Sequence, residues 1–199
     1  MSDGPGTGGG RPYSHRARSG ADVPRKPRRP GAYRKGLRGE PAADGPINEA
    51  LHVAGTTILM CDATIPGRDE GRLDAETLAW MAATLDELEP ESTPLIAFHQ
   101  PPVELHHPLP NGYRLEQPGN LAALLAAYPR VAAVITGHAH TLASSTFGGL
   151  PLVAGPAVTW TLRMPWEGDS AADREQPPGP AFHVLDDERR LTAHFRVVL

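Results

Sequence analysis

Val131–His140 reads V-A-A-V-I-T-G-H-A-H, and this stretch decides how the chain folds. Val131 to Ile135 are all apolar and read as a buried β-strand. Gly137 lets the backbone turn with no Cβ clash, and His138 and His140 follow two residues apart. The strand therefore offers both imidazoles at its C-terminal end, where open α/β sheets form their ligand crevice. Residues 94–98 have the same form, an apolar run leading into His99 and then Gln100-Pro101-Pro102. Proline has no N–H for a ladder, so the prolines stop that strand just after the histidine.

Working outward, Asp74 is placed to cap a helix, and Leu78, Met81, Leu85 and Leu88 follow at helical spacing. The spacing predicts an amphipathic helix over 75–88. A second helix is expected over 120–128, carrying Leu121, Leu124 and Leu125. Upstream, residues 32–37 suit a helical turn, and the runs 50–54 and 56–62 suit a hairpin about Ala54-Gly55. The order strand, helix, strand, helix, strand argues for a layered α/β domain. After His140 the pattern turns to strands. Residues 143–147 and 150–154 flank Gly148-Gly149, a strong hairpin signal. A strand over 158–162, a long loop over 163–180 and a last hairpin of 181–185 with 191–198 complete the chain. Sheet packed on sheet is expected at this end.

The chain has 199 residues, enough for one domain with a tail. Ten of its 19 Lys+Arg but only two of its 23 Asp+Glu fall in residues 1–38, so a basic segment precedes an acidic domain. Residues 1–30 have no apolar periodicity and read as a disordered basic leader. A basic arm for nucleic acid is the alternative, but the leader has only Tyr13 as a stacking aromatic and no nucleic-acid fold motif, so such binding is not expected. The single cysteine, Cys61, excludes an internal disulfide. It lies in an apolar run and reads as a buried, inert thiol in a reducing compartment. No stretch approaches the roughly 18 apolar residues of a membrane span, and the N-terminus has no signal-peptide core. The expected location is cytoplasmic, with no membrane partner.

Two strands that each end in histidine make a metal site the leading reading, with a hydrogen-bonded histidine pair as the bland one. The wider wording is more specific. A strand followed by H-x-P-P and, further on, a strand followed by G-H-x-H resembles the calcineurin-like metallophosphoesterases, closest to their bacterial cyclic-nucleotide phosphodiesterase branch. Asp62–Gly67 (D-A-T-I-P-G), Leu78-Ala79-Trp80 and Thr146–Val153 (T-F-G-G-L-P-L-V) fit the same resemblance, which covers roughly residues 31–199. It implies the C-terminal half of a four-layer α/β/β/α sandwich. It also implies a phosphate-ester substrate such as a cyclic nucleotide, and two divalent metals of the Fe, Mn or Zn type in a complete site. Carried over by position, His99 and His138 would hold one metal and His140 the other.

The departure from the family is large. Its D-x-H, G-D-x-x-D and G-N-H-D/E motifs, which supply the bridging aspartate and further ligands, do not occur in this sequence. The expectation is therefore a domain part over 31–199, inactive as it stands and holding at most one metal. Residues 1–30 have the Arg/Pro/Gly/Ala bias of coding DNA read out of frame. Two other readings stay open: a mononuclear zinc protein using His99, His138 and His140 with an open fourth position, and a metal-free remnant acting as a binding module. His106 and His107 could touch substrate or be plain loop residues. Trp160 and Trp166 could stack on a nucleobase or simply pack. Arg163 could meet a phosphate or be a solvated charge. His183 and His194 fall on the final hairpin as structural residues.

Overall fold

The computed structural model describes residues 34–199 apart from Ala54; the basic leader lies outside them. A single π-type turn, Arg34–Arg38, leads to the expected hairpin of β1 (Glu49–Val53) and β2 (Thr56–Met60). Helix α1 (Ala75–Glu87) starts where the sequence places it: the Asp74 carboxylate accepts from the Thr77 N–H at 2.8 Å. Its end is held by Arg130, whose guanidinium donates to the carbonyls of Leu85, Leu88 and Glu89. Strand β3 (Leu95–Ala97) follows, then a short helical turn α2 (Pro108–Asn111), helix α3 (Pro118–Ala127) and β4 (Ala133–Thr136). Helix α3 begins two residues earlier than its leucines suggest, because Gln117 turns left-handed and Pro118 fixes the first helical position.

Gly148 and Gly149, both with positive φ, close the hairpin of β5 (Ala143–Phe147) and β6 (Leu150–Ala154). The expected strand over 158–162 is only β7 (Thr161–Leu162). Its partner β8 (Ala172–Asp173) lies inside the segment read as a loop. The Arg163–Asp173 ion pair at 2.8 Å closes this small ladder. The last hairpin, β9 (Ala181–Leu185) with β10 (Leu191–Phe195), forms as expected but ends three residues short.

Six strands make one mixed sheet in the order β1-β2-β3-β4-β6-β5. β2, β3, β4 and β6 run parallel, and the two edge strands run antiparallel to their neighbours. The class is α/β, as expected. Leu59, Ile96, Val134 and Leu152 from the sheet meet Met81, Leu85, Leu121 and Leu125 from α1 and α3 in one core. Each such burial contributes about 1.5–3 kcal/mol. The β9–β10 hairpin is a separate two-stranded sheet. Its Ala181, His183 and Leu185 are half-buried, while Phe182, Val184, Thr192 and His194 are exposed. Burial without a partner for Nδ1 lowers the pKa of His183, in keeping with a structural role. Among the described residues no helix is long and apolar enough to cross a membrane.

Candidate functional site

Because β2, β3, β4 and β6 are parallel, the loops that follow them meet at one end of the sheet. There they enclose a cavity of about 390 Å³, within the ordinary range of small-molecule sites. The loop after β2 supplies Thr64, Arg68 and Asp69, and the loop after β3 supplies His99 and Gln100. The β4 loop supplies His138 and His140, and the segment after β6 supplies Trp160 and Leu162. All three histidines singled out in the sequence therefore line one cavity.

His99 and His138 are brought together by strand pairing. The Phe98 N–H donates to the Ile135 carbonyl at 3.1 Å, and the Gly137 N–H donates to the His99 carbonyl at 3.0 Å. The two imidazoles meet edge to face with ring centroids 5.1 Å apart. Gly137 is needed for a different reason from the one the sequence suggests. It does not have positive φ. A Cβ there would stand 3.3 Å from Nδ1 of His99, so glycine makes room for that ring. The left-handed residues are instead His138 and His140, with φ of 62° and 47°. Non-glycine residues seldom adopt this region, and those that do cluster at functional sites.

His140 is further restrained. Its ring stacks on Trp160 with centroids 4.0 Å apart. Its Nδ1 lies 2.9 Å from the Trp160 carbonyl. A carbonyl only accepts, so Nδ1 is the donor in this contact, and in the neutral ring the lone pair lies on Nε2. The Leu162 N–H returns a hydrogen bond to the His140 carbonyl at 2.8 Å.

The rest of the rim is held by loop-to-loop hydrogen bonds. The Gly71 N–H donates to the Arg114 carbonyl, the Glu116 N–H to the Gly71 carbonyl, and the Leu115 N–H to the Pro101 carbonyl. Buried Gln100 donates from Nε2 to the Asp69 carbonyl at 3.2 Å. Arg68 is engaged by Glu70 and Glu116, at 3.1 and 2.7 Å from Nη2. Its bond to Glu70 is the first cause of that carboxyl lying below the usual range. The same cavity is also lined by Leu109, Pro110 and Tyr113 from the α2 segment.

Sequence reasoning missed Thr64, Arg68, Asp69 and Tyr113, which lie on loops with no periodic pattern. Arg163 does not line the cavity: its side chain is spent on Asp173. Trp166 is three-quarters exposed. His106 is exposed, and His107 is buried behind the wall.

Imidazoles of this kind suit a transition metal chemically. Among the described residues, however, no three His, Cys, Asp or Glu side chains come close enough to hold an ion.

No family model matches the chain. It is 28% identical over 156 residues to a Rhodococcus erythropolis protein named "Probable cyclic nucleotide phosphodiesterase", covering 78% of this chain and 51% of that one. It is 28% identical over 155 residues to the cAMP/cGMP dual specificity phosphodiesterase MT0825 of Mycobacterium tuberculosis, covering 77% and 48%. A solved dimetal phosphatase from Danio rerio aligns over 55% of this chain and 48% of its own, with 14% identity and a TM-score of 0.44. The chain spans about half the length of the curated relatives it matches. The resemblance carried by H-x-P-P and G-H-x-H is thus found again in sequence comparison, where the relatives include cyclic-nucleotide phosphodiesterases and glycerophosphodiester phosphodiesterases.

Proposed function

We propose that this relative of the cyclic-nucleotide phosphodiesterases is a phosphoesterase-type chain whose histidine-lined cavity is the ester-binding end of a hydrolytic site, with a cyclic nucleotide as the substrate class. The observation that carries the reading is the meeting of His99 and His138 at the ends of adjacent parallel strands, with His140 fixed beside them on Trp160. The resemblance assigns divalent ions to these histidines, His99 and His138 to one and His140 to the other. Such ions supply Lewis-acid activation in phosphoester hydrolysis. The sequence holds none of the family's D-x-H, G-D-x-x-D and G-N-H-D/E motifs, so we assign the chain as given at most one transition metal, weakly held, and negligible turnover.

Hydrolysis of a chromogenic phosphodiester in Mn²⁺ or Fe²⁺, alongside metal counting by native mass spectrometry, tests this. The expected result is no more than one ion per chain and no rate above background. Joining an upstream half that carries D-x-H, G-D-x-x-D and G-N-H-D should give a second ion and turnover. In the joined protein, His99→Ala, His138→Ala and His140→Ala should each lower the rate by orders of magnitude. Robust turnover by the 199-residue chain alone, abolished by His140→Ala, would overturn the reading and favour a mononuclear zinc site.

A further inference from the structure

His107 is 1% exposed and lies behind the cavity wall, outside the cavity itself. Both of its ring nitrogens are engaged. The backbone N–H of Leu109 points at Nδ1 over 3.2 Å, and Nε2 lies 2.7 Å from the Arg163 carbonyl. An N–H must donate and a carbonyl must accept, so the ring is neutral with its proton on Nε2. One end of the imidazole therefore caps the α2 turn, which brings Leu109 and Pro110 to the cavity. The other end grips the residue that follows Leu162.

We propose that His107 is a positioning residue: it ties the Leu109–Tyr113 wall to the Trp160–Arg163 segment and so sets the width of the cavity that both segments line. This rests on the cavity being the ester site proposed above. The route is continuous. Arg163 is held by Ala171 through its N–H at 2.9 Å and by Asp173 through its side chain. Leu162 is bonded to His140, and His140 to Trp160. On the other side, the Asn111 N–H donates to the His107 carbonyl and the Tyr113 N–H to that of Pro110. The wall so placed brings Leu109 and Pro110 into the cavity that the imidazoles line, as suits the organic group of an ester whose phosphoryl end lies among the histidines. Apart from the tie, the side-chain bonds at this four-residue turn are local, from Asn111 to Glu104 and Leu105 and from Arg114 to the Asn111 carbonyl, and so short a turn does not hold itself.

The two contacts can be separated by substitution. His107→Asn keeps an acceptor near Nδ1 and loses the reach to Arg163. His107→Gln keeps a donor near Nε2 and loses the cap. Hydrogen exchange of peptides covering 109–113 and 161–164 is the first readout. His107→Asn should raise exchange in both segments together by tenfold or more, and His107→Gln should leave 161–164 within about threefold of the parent. Affinity for a fluorescent cyclic AMP analogue should follow the same order. The parent chain offers a check that needs no variant: a long-range proton–nitrogen spectrum should show His107 protonated on Nε2. Unchanged exchange at 161–164 in His107→Asn, equal rises in both variants, or a proton on Nδ1 would each overturn the proposal. If the parent binds no nucleotide analogue, the ester reading fails, and the tie is still decided by exchange and by the tautomer.

Discussion

A Cβ at Gly71 would stand 2.5 Å from Oε1 and 2.6 Å from Cδ of Gln100, closer than real side chains approach. Gln100 is 7% exposed and also holds the Asp69 carbonyl. Gly71→Ala should therefore force a buried side chain out of place and release the Arg68–Asp69 part of the rim. The expected cost is about 1–3 kcal/mol, read from urea unfolding. In a Gln100→Ala background the same substitution should cost clearly less, because the clashing atoms are gone. Equal costs in the two backgrounds would contradict this account.

Trp160→Ala removes the ring on which His140 stacks. Such a pair contributes about 0.5–1.5 kcal/mol beyond its buried area. The parent should show His140 in the Nδ1–H form by nitrogen NMR, because the Trp160 carbonyl requires a donor. The variant should show a mixture of the two tautomers, since nothing then holds the ring over that carbonyl. A pure Nδ1–H signal in Trp160→Ala would show that the backbone contact alone is sufficient.

The Asp173 carboxyl is held below its ordinary value, first by the Glu175 N–H and also by Arg163 and the Gln176 N–H. A carboxyl whose pKa falls on folding adds stability above its unfolded value, and that stability is lost as pH drops through the folded value. The urea midpoint of the parent should therefore fall between about pH 5 and pH 2. Asp173→Asn should be less stable at neutral pH and fall less steeply over that window. Glu40, Glu70 and Asp186 are also depressed and should supply the slope that remains.

Burial pushes the Cys61 thiol up to about 12. At pH 8 the folded chain should therefore react with a disulfide reagent orders of magnitude more slowly than a free thiol, and urea should restore ordinary reactivity. Rapid reaction in the absence of denaturant would mean that the β2 end opens easily.

Much of the sheet was legible in the residues. The apolar run 94–98 holds β3, and the run 131–135 leads into β4, which starts two residues later and reaches Thr136; Gly148-Gly149 marks the β5–β6 turn. Asp74 and the spacing of Met81 and Leu85 locate α1. The three histidines could be placed at one end of the sheet because parallel strands end together. The β7–β8 ladder could not be read, since it depends on an ion pair between Arg163 and Asp173, ten residues apart. Nor could α2, because its cap is a histidine and not one of the usual short polar residues. The cavity loops carry no periodicity, and only tertiary packing brings Arg68, Asp69 and Tyr113 to the same rim.

The left-handed backbone at His138 and His140 sets the chain's chemistry against its durability. Glycine would occupy either position with less strain, by something on the order of 1 kcal/mol each. Laboratory evolution that rewards only resistance to heat should therefore reach His138→Gly before His140→Gly, because at His140 the stack on Trp160 and the bond to its carbonyl offset the relief.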